Sequence, residues 1–116
     1  MTLSPQPSRE QLNLPDVLEA LANPLRLRVV ARLAAEGERV LSLPSCGELL
    51  PEVSKSTASH HWRILRESGV VDQQRDGRYV RSRLRREDLD ARFPGLLDAV
   101  LAAAPDTPGV LTAAQG

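Results

Sequence analysis

Hydroxyls, imidazoles and an indole crowd one short run, "SKSTASHHWRILRESGVV", from Ser54 to Val71. Side chains of these types can ligate a metal, move a proton or meet a nucleic acid. Neighbouring positions on a helix diverge by about 100°, so His60 and His61 cannot chelate one ion from a single chain. Outside the run, the reactive inventory is one thiol, Cys46, and a scatter of acids that includes Asp88, Asp90 and Asp98. No glycine-rich phosphate loop is present, no nucleophile stands with a base and an orienting acid, and the carboxylates show no organised pairing. The sequence therefore assigns no catalytic residue and no cofactor, and an enzyme is not expected.

Wound at helical pitch from a cap at Ser54, the run puts Ala58, Trp62 and Leu65 on one stripe, with His61 beside it. Trp62 is then a core residue. Lys55, Ser56, Thr57, Ser59, His60 and Arg63 are left to the other side. That face is short, hydrogen-bonding and basic. Small side chains at a helix start let backbone N–H groups and hydroxyls approach phosphates and base edges closely. Gly69 ends the helix and the period then changes to two. Val71 and Gln73 oppose Val80, Ser82 and Leu84 across Asp76-Gly77, a strong hairpin signal. Arg75 and Arg78 flank that turn, while Arg81 and Arg83 lie on the face opposite Val80 and Ser82. Long guanidinium arms on a projecting hairpin can straddle a phosphate ridge or enter a minor groove.

The elements before and after position this pair. A first helix opens at Pro15, with Leu14, Val17, Leu18 and Leu21 at helical spacing. A second runs from the cap Asn23 and Pro24 to Gly37, its inner stripe Leu27, Val30, Leu33 and Ala34, with Arg26, Arg28 and Arg32 mostly outside it. A short third helix, "SCGELL", is expected with Ser45 as its cap and Leu49 and Leu50 inward. After the hairpin come a helical turn and a last helix from about Pro94. The fold class is thus mainly α with a small β-hairpin, and the order of pieces is a winged helix-turn-helix. We expect a flexible arm over residues 1–13, one domain over 14–104 and a flexible tail over 105–116.

The formal charge is zero, yet it is unevenly spread. Between Lys55 and Arg86 nine basic residues face three acidic ones, a net +6, which leaves −6 for the remainder. A basic module on an acidic protein suits a localised contact with a polyanion. No apolar run has membrane-spanning length and no signal peptide is evident, so a cytoplasmic place and no membrane partner are expected. The lone cysteine agrees with a reducing compartment.

"LANPLRLRVVARL", "SKSTASHHWRILRESGVV" and "DGRYVRSRL" resemble the ArsR family of bacterial winged-helix transcriptional repressors, whose members are small homodimers. The likeness spans about Leu14 to Leu101. It implies that Ser56, Thr57, Ser59 and His60 fall on the recognition helix, and that His61 is structural or phosphate-facing. It also implies a homodimer built on the terminal helices. Val17, Leu18 and Leu21 would face Leu96, Leu97, Val100 and Leu101 there, in a last helix apolar around most of its circumference. Double-stranded DNA carrying an imperfect inverted repeat is the implied partner, with the inducing signal unidentified.

Many members of that family sense metals, through a Cys-x-Cys pair on the third helix or through Asp, His and Glu on paired terminal helices. Here the first region offers only Cys46, and the last helix has no histidine, so no metal site is expected. Two other readings stay open. Cys46 at the start of a helix would be a candidate thiol sensor, because the backbone dipole lowers a thiol pKa there. A winged-helix module that binds protein instead of DNA is the other.

Overall fold

Early prolines open the first two helices as the sequence predicts, the second behind its expected cap Asn23 and the first behind Asn13, a cap that the sequence reading places in the arm. The computed structural model describes residue 3 and residues 5–104, and in it α1 spans Leu14–Leu21 and α2 Pro24–Glu36. The Asn13 side chain accepts from the Asp16 N–H, and that of Asn23 from Leu25 and Arg26. Each cap satisfies backbone donors that have no partner within the helix. Gly37, at φ +84°, ends α2.

The inner stripe of α2 is rotated from the predicted one. Arg26, Val29, Val30 and Leu33 are buried, Leu27 is half-buried and Ala34 is exposed. The inward arginine has a clear cause. Its Nε donates to Ala20 O at 2.9 Å and its Nη2 to Glu19 O at 3.1 Å, satisfying carbonyls at the C-terminal end of α1, where a cation is also favoured by the helix dipole.

After Gly37 the chain forms a strand the sequence did not reveal, β1 (Arg39–Ser42). Only Leu41 of its four residues is buried, too short a run to display alternation. The expected third helix is a single 3-10 turn, Gly47–Leu49, entered through Cys46 in the left-handed region at φ +53°. Leu49 and Leu50 are buried as predicted.

Next come α3 (Lys55–Glu67), β2 (Val71–Asp76) and β3 (Tyr79–Leu84). The hairpin faces are the predicted ones, with Val71, Gln73, Val80, Ser82 and Leu84 on one side, but the register is shifted by two residues from that of an Asp76-Gly77 turn. Val71 lies opposite Leu84, Gln73 opposite Ser82 and Arg75 opposite Val80. The turn sits one residue later than expected, on Gly77 and Arg78, with Gly77 at φ +65°. β1 pairs antiparallel with β3, so the wing is a three-stranded sheet of order β1-β3-β2 rather than a bare hairpin. α4 (Arg86–Arg92) and α5 (Leu96–Ala103) follow.

The boundary drawn at residue 13 is also corrected. Residues 9–11 form a 3-10 turn, and Leu12 is buried in the core. Leu12 and Pro7 lie so close to Gly69 that a Cβ there would stand 2.2 and 2.9 Å from them. Gln6 extends the attachment. Its side-chain amide donates to Gln73 O and accepts from Gln73 N, pairing with β2 along its free edge. The tail expected over 105–116 lies outside the described residues.

Candidate nucleic-acid interface

Ser54 caps α3 by accepting from the Thr57 N–H at 3.2 Å. Such a cap is worth roughly 1 kcal/mol. The buried face of the helix carries Ala58, His61, Trp62, Leu65 and Arg66. Trp62 is in the core as predicted, and its Nε1 donates to Cys46 O at 2.7 Å, which pins α3 to the turn before it. Behind the helix, the Arg66 Nη1 donates to Gln73 Oε1 at 2.6 Å, and Gln73 Nε2 donates to Ser82 Oγ at 2.9 Å. This buried polar chain fixes the angle between helix and wing.

The two histidines part company. His61 is buried, with Nδ1 3.1 Å from Arg26 Nη1. A guanidinium only donates, so Nδ1 must accept and the ring is neutral. Burial, then the Arg26 charge, then His60 hold its pKa below the ordinary value. Of the two roles open to His61, the structural one holds. His60 is exposed, beside Arg63.

Lys55, Ser56, His60 and Arg63 are exposed, and Thr57 and Ser59 half-exposed, on the outer face of α3. The hydroxyls of this face have partners: Thr57 Oγ1 accepts from Ser54 Oγ, Ser56 Oγ lies 3.2 Å from the same Ser54 Oγ, and Ser59 Oγ donates to Pro44 O. Ser56, Ser59, His60 and Arg63 share one cleft with Arg75 of β2. Arg78 is exposed at the wing tip. Arg81 is not brought to that cleft. It alternates with the buried Val80 and Ser82 and projects from the outer face of the sheet.

Ion pairing reveals what the charge count concealed. Arg83 pairs with Asp72, Arg85 with Asp88, and Arg86 with Asp90 and Asp98. Arg9, Arg28, Arg32 and Arg39 also have carboxylate partners. Lys55, Arg63, Arg75, Arg78 and Arg81 have none within 4.0 Å among the described residues. Outside α3 and the wing, Arg26 and Arg92 also have no carboxylate partner among the described residues and donate to backbone carbonyls instead. The five are thus the exposed cations that α3 and the wing carry without one. The sequence run contained them but could not separate them from their paired neighbours.

Cys46 does not meet the expectation of a reactive thiol. It precedes one 3-10 turn instead of an α-helix and is buried. Burial, aided by Glu48, pushes its pKa up to about 11, against smaller opposing effects of Arg66 and Gln73. Among the described residues, no three His, Cys, Asp or Glu side chains gather as a metal site would require. No helix there is long and apolar enough to cross a membrane.

The predicted dimer residues divide as well. Val17, Leu21 and Leu97 are buried within the protomer's own core, so they are corrected from interface to core. Leu18 is 44% exposed and Leu14 41% exposed, while Leu96, Val100 and Leu101 are half-buried.

A capped helix with a polar, cationic outer face, braced against a basic β-wing, defines a winged helix-turn-helix DNA-binding transcriptional regulator. A helix-turn-helix domain profile matches residues 21–74. The chain is 36% identical over 94 residues to the arsenic resistance transcriptional regulator ArsR1 of Pseudomonas putida, covering 78% of this chain and 71% of that one. It is 30% identical over 86 residues to the uncharacterized HTH-type transcriptional regulator YceK of Bacillus subtilis, covering 72% and 82%. The transcriptional repressor BigR of Xylella fastidiosa has a similar structure, with a TM-score of 0.55, 26% identity and 81% and 88% coverage. The chain belongs to the ArsR family of winged-helix transcriptional regulators.

Proposed function

We propose that the protein is a homodimeric, cytoplasmic repressor that holds an imperfect inverted-repeat operator through α3 and the wing and leaves it when a signal arrives. The observation that carries this reading is the grouping of Lys55, Arg63, Arg75, Arg78 and Arg81, without carboxylate partners among the described residues, on the two elements a winged helix applies to DNA. Ser56, Thr57, Ser59 and His60 supply short polar groups on the same helix. Exposed Leu14 and Leu18, with the half-buried Leu96, Val100 and Leu101, offer apolar surface to a second copy. The reading includes no catalytic step, resident metal or cofactor. One cysteine per chain and a last helix without histidine argue against a metal as the signal.

Capture of bound DNA across the genome, then titration of the recovered site at several salt concentrations, tests the reading. The expected result is an inverted repeat whose affinity falls steeply with salt as counterions are released. A protein-binding winged helix would show no such dependence. The thiol-responsive alternative loses its physical motive with the pKa of Cys46 raised.

A further inference from the structure

The cleft between α3 and β2 has more volume and more apolar wall than a phosphate groove needs. It measures about 620 Å³, within the range of sites for small organic ligands. Its lining is largely apolar, with Leu3, Leu43, Pro44 and Trp62 contributing to it. Three arginines, Arg63, Arg66 and Arg75, are among its lining residues, and none of those residues is acidic. Arg66 and Gln73 are buried and fixed to each other at 2.6 Å, so part of the polar lining is preorganised. Arg63 and Arg75 stand exposed.

Two requirements follow for an occupant. The cationic lining favours an anion, and Arg recognises a carboxylate well because its donors form a planar fork. The apolar wall rewards a hydrophobic body, which an inorganic anion lacks. We propose that this cleft is the effector site and that its ligand is a small organic carboxylate with an apolar body of one or two rings or a short chain. Ser56, Ser59, His60, Arg63 and Arg75 line the cleft and also belong to the proposed DNA face, so ligand and duplex exclude each other. Induction then needs no relay through the fold, and apparent DNA affinity falls as the ligand saturates. This release mechanism rests on the DNA-binding role of the α3–wing face. Occupancy of the cleft does not, and it is measured without DNA.

The probe is 4-phenylbutanoate, with 4-phenylbutan-1-ol as the same body without charge and acetate as the charge without the body. Trp62, the only tryptophan, lines the cleft and reports binding by fluorescence, with calorimetry giving stoichiometry. The expected result is one saturable site per chain that binds the acid about tenfold or more tighter than either analogue. Arg63→Ala and Arg75→Ala, both at exposed positions, should each weaken it about three- to tenfold, and excess acid should release bound duplex. Equal binding of acid and alcohol, binding no tighter than acetate, or indifference to both arginine variants overturns the assignment. Absent acid binding with duplex binding intact overturns the cleft alone. Absent duplex binding with acid binding intact supports the ligand site and overturns the DNA reading.

Discussion

Arg66 of α3 and Gln73 of β2 meet through a 2.6 Å hydrogen bond inside the protein, and Gln73 passes the connection on to Ser82 of β3. The backbone of Gln73 is held at the same time by Gln6 of the N-terminal segment. One residue thus ties the helix, β2, β3 and the N-terminal segment together. Gln73→Leu keeps the size and removes the side-chain bonds. We expect a loss of about 1–3 kcal/mol in urea unfolding, the usual cost of stranding buried polar partners. Operator affinity should fall with it, because helix and wing lose their fixed angle. Unchanged affinity would show that the wing is positioned by the sheet alone.

His61 makes stability depend on pH. Its folded pKa lies below its unfolded value of about 6.5, so its contribution is complete above that value. As pH falls from about 7, the unfolded chain takes up a proton that the folded one resists, and stability declines. Glu52, held down to about 2 by Arg28, and Asp88, lowered by Arg9, lose their contributions only in a more acidic window. Urea midpoints between pH 8 and pH 5 should decline in the wild type and flatten in His61→Gln, which retains an acceptor for Arg26. Parallel curves for the two proteins would contradict the neutral, accepting imidazole.

Native Cys46 should resist alkylation. With its pKa near 11 and its side chain buried, iodoacetamide at pH 8 should label it at least about a hundredfold more slowly than in the urea-unfolded chain. Comparable rates would restore the thiol-sensor reading.

Much of this was legible because it rests on local rules. Asn23, Pro24 and Gly37 delimit α2, Ser54 caps α3, and the alternation from Val71 to Leu84 sets which hairpin residues share the buried face. What escaped depends on distant partners. Arg26 reads as a surface residue until the end of α1 and His61 are seen around it. β1 exists because β3 offers it an edge. Residues 6–12 read as a loose arm, yet they pack where the chain turns at Gly69 and along the edge of β2. In the candidate site, the residue types on α3 were readable from helical pitch. The separation of Arg75 from Arg81 required the sheet.

For dimerisation, the exposed Leu18 and the half-buried Leu101 are the informative positions. Leu18→Asp and Leu101→Asp should remain folded by circular dichroism, sediment as monomers at micromolar concentration and bind operator far more weakly. Leu97→Asp should instead unfold, since it buries an unpaired charge in the protomer core, typically a loss of several kcal/mol. A wild type that sediments as a monomer at that concentration removes the proposed architecture.

The division of labour between helix and wing gives the last prediction. In a twofold dimer, two copies of α3 should enter successive major grooves, with half-sites about one helical turn apart, roughly 34–36 Å. His60 is exposed on the outer face of α3, whereas Ser59 already donates to Pro44 O and keeps only its acceptor capacity for a base. His60→Ala should therefore change sequence preference more than Ser59→Ala, at about 1–3 kcal/mol for a lost base contact. Arg75 and Arg78, near the wing tip, should meet phosphate or a minor groove. Their replacement by alanine should weaken operator and scrambled duplex alike and reduce the salt slope by about one per phosphate contact. Titrations of both duplexes at several salt concentrations separate the roles. If His60→Ala weakens both equally while Arg78→Ala affects only the operator, the roles are reversed. If none of the four variants matters, DNA binds elsewhere on the protein.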